Sequence, residues 1–185
     1  DRNMQTSQNT ANDRNNTTYM LVVNGVFIAL TLVATYLIQI RLPFIGAGGL
    51  IHMGNIPLFI GAWLFGKKTG AIAGGIGMGL FDLLSGWVSW APFTLVIVGL
   101  MGYVIGTIEE KPLVKNTLAN RIISIILAII IKIVGYYIAE VILFGNFLAP
   151  VGSIPGNIIQ VGVAAVISLF LICLLYTSDA ADDSL

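Results

Sequence analysis

Lys132, Tyr136 and Glu140 recur at i, i+4 and i+8 in KIVGYYIAE, so a helix sets an ammonium, a phenol and a carboxyl on one stripe. Asp82 stands in the glycine-rich apolar run GGIGMGLFDLL, and Asn157 and Gln160 are spaced i, i+3 in IPGNIIQ. Carboxamides both donate and accept hydrogen bonds, which suits the edge of a heterocyclic ligand. Arg41, Trp87 and Trp90 add a further cation and two flat rings. Together these groups offer recognition chemistry: charges of both signs, donors, acceptors and aromatic faces.

Bond-breaking chemistry has no comparable signature. GxSxG and HExxH are absent, and GGIGMG at 74–79 has no strand before it and no Lys-Ser/Thr after it, so it is not a phosphate loop. With one histidine, His52, and one cysteine, Cys173, the chain cannot build a His/Cys zinc site or an internal disulfide. No catalytic residue and no metal ligand is assigned.

The elements that must position these groups follow from composition. Of 185 residues, 57% are hydrophobic and 10% charged, with a formal net charge of zero, and mean hydropathy is +0.92. Soluble domains carry about 25% charge, so a soluble globular enzyme is excluded. The balance of charge also leaves no basic field for nucleic acid. Apolar runs of bilayer length, about 20 residues, lie between short polar punctuation. The chain reads as all-α, a polytopic membrane protein with six transmembrane helices.

Residues 1–18 are polar and Asn-rich and read as a disordered tail, and 19–176 form the six-helix domain. The acidic stretch 177–185 is set apart as a tail that need not be native. The spans are expected at 19–40, about 55–65, about 70–84, about 92–108, about 121–144 and about 158–176. Residues 41–54 form a loop to which Gly46, Gly48 and Gly49 give freedom. Gly70/Gly74 and Gly75/Gly79 are small-xxx-small pairs that let helices approach closely in lipid.

Six spans put both termini on one side, which also collects Arg2, Arg14, Lys67, Lys68, Lys111, Lys115 and Arg121, whereas the other side has Arg41. By the positive-inside rule the termini are cytoplasmic. At 1.5 Å per residue, Lys132 lies about 16 Å from Arg121, near mid-membrane, and Glu140 about 28 Å from it, near the outer surface. A charge at the bilayer centre costs about 2.5–3.5 kcal/mol or more, so such residues face a partner or a wet cavity.

Two arrangements satisfy that requirement. The preferred one is a pocket open to the outside, built from the outer ends of helices four to six and the loop after helix one. The other is a structural Lys132–Asp82 pair, with Glu140 reaching for the interface. For Asn157, capping of helix six and ligand contact are equally open, and for Trp87 and Trp90 an interfacial belt is preferred to ligand stacking. Gly25 and Ala29 form another small pair, read by default as internal packing and more sharply as a docking face. A second functional class, a self-sufficient transporter or channel, would use Asp82, Lys132 and Glu140 as an ion or proton relay.

The order LIHMGNIPLFIGAWLFGKKTGAIAGGIGMGLFDLLSGW, then APFTLVIVGLMGYVIG, then GYYIAEVILFG and IPGNIIQ resembles the substrate-binding S components of energy-coupling factor (ECF) vitamin transporters, of the riboflavin type, over about residues 19–176. The resemblance implies a multi-pass protein of the bacterial cytoplasmic membrane that is not an enzyme. It implies capture of a water-soluble vitamin from outside: riboflavin, or a related heteroaromatic such as pyridoxine or a thiamine precursor. It further implies a transmembrane coupling subunit and two cytoplasmic ATPases, with ATP bound only on those partners and no covalent cofactor on this chain. Family members dock through an Ala-xxx-Ala face of helix one, whose positions here are Gly25 and Ala29.

Overall fold

The computed structural model describes residues 2–41 and 50–183, with side chains from Asn16 onward except those of Arg41 and Leu50. In chain order the elements are α1 (Arg2–Leu37), β1 (Gln39–Arg41), β2 (Leu50–His52), α2 (Asn55–Phe65), α3 (Lys67–Leu84), α4 (Ala91–Glu110) and α5 (Thr117–Phe144). A 3-10 turn (Ala149–Ser153) then leads into α6 (Ile154–Asp182).

Local chemistry sets the boundaries. A single residue, Gly66 at φ 93°, separates α2 from α3; this left-handed value is open to glycine and strained for other residues. Asn116 caps α5, its side-chain oxygen accepting from the Ala119 amide at 3.0 Å, and Gly145 ends that helix at φ 64°. Pro92 and Pro155 sit in first turns, where the missing amide hydrogen is not needed.

Four helical segments are long and apolar enough to cross a membrane: Asn16–Leu37, Ala91–Glu110, Thr117–Phe144 and Ala149–Asp182. α2 has 11 residues, about 16 Å against a hydrocarbon core of about 30 Å. α3 carries Lys67, Lys68 and Asp82 in its 18 residues. The molecule is thus a mostly helical, membrane-embedded protein.

The structure adjusts several expected boundaries. The first span ends at Leu37, because Gln39–Arg41 pairs antiparallel with Leu50–His52 in the register Gln39↔His52, Ile40↔Ile51 and Arg41↔Leu50. This two-stranded ribbon is the non-helical addition to an all-α body, within a stretch expected to be loop. Gly46, Gly48 and Gly49 lie outside the described residues. α1 is helical back to Arg2 and α6 onward to Asp182, through polar stretches that hold no glycine or proline to stop a helix.

The helices meet where side chains are smallest. A Cβ on Gly70 would stand 2.7 Å from the Gly102 carbonyl oxygen, and one on Gly102 would overlap the Gly70 carbonyl. A Cβ on Gly75 would lie 2.9 Å from Leu95 O and 3.2 Å from Gly99 Cα. The small-residue stripe of α3 is therefore matched by Gly99, Gly102 and Gly106 of α4, which the sequence reading did not single out. Gly79 is looser, with its nearest neighbour at 3.8 Å. Around this contact the core gathers Leu58, Phe59, Met78, Val98, Met101 and Val161, while Val96, Ile130, Val134 and Phe170 point outward.

The elements define two ends. At one, the Arg121 guanidinium lies 2.7 Å from Glu109 and between the rings of Trp63 and Tyr176, at 5.5 and 5.8 Å. Lys67 Nζ lies 3.6 Å from Glu110, whose other oxygen accepts from the Lys67 amide at the start of α3. At the other end, the ribbon, the α3–α4 turn and the start of α6 surround a cleft.

Candidate functional site

α5 supplies one wall of that cleft. Lys132, Tyr136 and Glu140 all line it, as their shared helical stripe requires. Lys132 is 3% and Glu140 2% exposed, so both groups are enclosed by protein. Lys132 Nζ stands 5.1 Å above the Tyr136 ring, within cation–π range.

The neighbouring elements close round this stripe. Asp82 arrives at the end of α3, Trp87 on the α3–α4 turn, Trp90 at the N-cap of α4 and Thr94 in its first turn, Asn157 and Gln160 in the first turns of α6, and His52 from β2. The cavity itself measures about 80 Å³, below the range of about 300–1,000 Å³ typical of small-molecule sites, so a vitamin-sized guest requires the cleft to widen. Trp90 packs on Tyr136 and Phe144, with ring centroids 6.2 and 6.0 Å apart, and the Thr94 and Tyr136 hydroxyls are hydrogen-bonded at 2.9 Å. These contacts fix the Trp90 and Tyr136 rings together as one aromatic wall of the cleft.

The polar groups are only partly satisfied by protein. Among the described residues no carboxylate lies within 4.0 Å of Lys132 Nζ, and Asp82 Oδ2 is buried with no hydrogen-bond partner. A direct Lys132–Asp82 ion pair, the structural alternative, is therefore not formed. Glu140 does not reach for an interface either: its Oε2 is 2.8 Å from Ser153 Oγ. Gln160 Nε2 donates a long, 3.5 Å bond to the His52 carbonyl.

His52 has a defined tautomer. Its Nδ1 accepts from the Gly54 amide at 3.3 Å, so the neutral ring carries its hydrogen on Nε2. Desolvation, with the Lys132 charge added, lowers its pKa to about 3. The imidazole is thus a neutral donor across the physiological range.

Most of the sequence-expected site residues converge here: Asp82, Trp87, Trp90, Lys132, Tyr136, Glu140, Asn157 and Gln160 share one cleft. One alternative is corrected: Asn157 does not cap α6, because the 3-10 turn carries the helix start back to Ile154. Trp90 stands in the cleft wall with its ring against Tyr136 and Phe144. Arg41 lies in β1, with its side chain outside the described part. His52, Thr94 and Ser153 were missed. Thr94 stands one turn beyond Trp90, the spacing that could have flagged it.

Gly25 and Ala29 are elsewhere, exposed along α1. A Cβ on Gly25 would meet nothing within 4 Å, so internal packing is not their role.

The fold and the cleft together define a helical membrane protein with a ring-walled polar cleft at one end. The family model for the S component of the ECF-type riboflavin transporter matches residues 15–177, and the chain belongs to that family. It is accordingly a transporter subunit and not an enzyme. The thiamine precursor transporter HmpT of Lactococcus lactis subsp. cremoris (strain MG1363) is 28% identical over 151 residues, 82% of this chain and 84% of that one. An uncharacterized protein of Pyrococcus woesei is 33% identical over 106 residues, 57% of this chain and 69% of its own length. A solved S component of a bacterial ECF transporter shares the fold, with TM-score 0.69 at 20% identity over 87% of this chain and 97% of that one.

Proposed function

We propose that this chain is the substrate-capturing S component of an ECF-type ABC importer in the bacterial cytoplasmic membrane, and that its cleft takes a water-soluble, vitamin-type heteroaromatic. The observation that carries this reading is the joining, in one cleft, of a fixed aromatic wall with the unpaired Asp82 oxygen and the enclosed Lys132 ammonium. Rings bind the flat face, and Asn157, Gln160, His52 and the charged groups read the donor and acceptor edge. Riboflavin is the ligand that the family's description suggests, and a thiamine precursor the one that HmpT suggests; pyridoxine offers a similar edge.

In this reading the molecule has six spans with both termini cytoplasmic, and the cleft opens outward. The basic end, with Lys67, Lys68, Lys111, Lys115 and Arg121, then faces the cytoplasm. The exposed Gly25–Ala29 strip of α1 is the surface for a transmembrane coupling subunit, which brings two ATPases. ATP binds on those chains, and this chain holds no covalent cofactor.

The test is reconstitution of the chain alone in liposomes. It should retain a vitamin tightly and drive no accumulation, with or without a proton gradient. Gradient-driven uptake by the lone chain would replace this reading with a secondary transporter using Asp82, Lys132 and Glu140 as its relay.

A further inference from the structure

Ser153 Oγ lies 2.8 Å from Glu140 Oε2 and 2.8 Å from the Pro150 carbonyl oxygen. A serine hydroxyl has one hydrogen to donate. A carbonyl oxygen can only accept, and so can a carboxylate. Were Glu140 ionised, the single Ser153 hydrogen would be split between the two contacts or leave one of them lone pair against lone pair, in a place where Ser153 and Glu140 are each 2% exposed and water offers no relief. Each contact has a hydrogen of its own when Glu140 Oε2–H donates to Ser153 Oγ and Ser153 O–H donates to Pro150 O.

We infer that this relay holds Glu140 as the neutral acid, and that the cleft, carrying no net charge, selects an uncharged ligand over cationic or phosphorylated relatives. The groups around Glu140 complete the charge count. Lys132 and Tyr136 face it from α5, Asp82 from α3, Thr94 from α4, Asn157 and Gln160 from α6, and His52 from β2. His52 is neutral. Lys132 and Asp82 bring one charge of each sign, and their sum stays zero even if a proton passes between them. Glu140 turns its remaining oxygen to the cleft as an acceptor, so a guest N–H or O–H is recognised without a salt bridge. An ionic guest could pair with Lys132 or with Asp82, but the occupied cleft would then carry a net buried charge.

The selectivity half rests on the binding function proposed above; the protonation half does not. Infrared difference spectra of the ligand-free full chain at pH 7, wild type minus Glu140→Gln, should contain the C=O band of a protonated carboxyl. A difference holding only carboxylate bands overturns the inference. Ser153→Ala keeps the carboxyl and removes the acceptor of its proton, so it should shift the same band, and it serves if the Gln variant does not insert. A band unmoved in Ser153→Ala overturns the relay.

Titration calorimetry then compares riboflavin and pyridoxine, each with its own 5′-phosphate. A vitamin that binds should do so on the order of 100-fold or more tightly than its phosphate, the scale of an uncompensated buried charge; equal affinity within a pair overturns the selectivity. An acid band with no vitamin bound would support the neutral Glu140 while sinking the vitamin-capture reading.

Discussion

Replacing Lys132 by Met separates a ligand-binding cation from a structural one. The side chain is 3% exposed and has no carboxylate within 4.0 Å among the described residues, so its ammonium is enclosed without a direct ion pair. The ammonium stands 5.1 Å from the Tyr136 ring centroid, a contact worth about 2 kcal/mol when desolvated. The enclosed charge itself carries a desolvation penalty of several kcal/mol. Met keeps the stem volume and removes that penalty but leaves Asp82 without its opposing charge, so the two effects offset and folding stability should change little. Ligand binding should weaken. A hydrogen bond from a charged donor is worth about 1.5–3 kcal/mol, which converts to a loss of about 10- to 150-fold in affinity. Thermal unfolding in detergent and calorimetric titration with riboflavin and pyridoxine read the two quantities. A variant that melts lower and binds with wild-type affinity would refute the reasoning and return Lys132 to a structural role.

The remaining expectations concern other parts of the molecule. Gly102→Ala puts a methyl group onto the Gly70 carbonyl, so it should lower stability by about 1–3 kcal/mol through forced separation of α3 and α4, measured by thermal unfolding; an unchanged melt would contradict the close approach. For His52, the folded pKa of about 3 lies below the unfolded value of 6.5, so the unfolded chain takes up the proton first. Stability should be full above pH 6.5 and fall as pH drops from 6.5 toward 3, and His52→Gln should flatten that part of the melting profile. Gly25→Leu places a bulky side chain where a Cβ now meets nothing; it should leave vitamin binding intact and reduce uptake in cells that supply the coupling module, and undiminished uptake would move the docking face off α1.

The helices and much of the cleft were readable because both depend on short-range periodicity. Lys132, Tyr136 and Glu140 fall on one face by the geometry of any helix, and Asp82 stands out by being charged within an apolar run. His52 was not readable in this way. It reaches the cleft because Gln39–Arg41 pairs with Leu50–His52 and folds the ribbon toward α6, a pairing of very short strands with little sequence signal. Thr94 and Ser153 were hidden for another reason: in a helix or turn their hydroxyls ordinarily bond to nearby backbone, and their links to Tyr136 and Glu140 span 42 and 13 residues. The glycines of α4 were legible in GLMGYVIG, but their meaning depends on lying opposite Gly70 and Gly75. Asn157 resembled a cap because the 3-10 turn before α6 extends the helix start by a turn.

The central claim is that the cleft between α3, α4, α5, α6 and β2 is the place where cargo is held. A crystal structure of the full chain, purified with a small molecule identified by mass spectrometry, tests it directly. The expected density is a flat ring against Trp90 and Tyr136 with its edge on Asn157, Gln160 and Glu140. A ligand seated anywhere else, with this cleft unchanged, would contradict it.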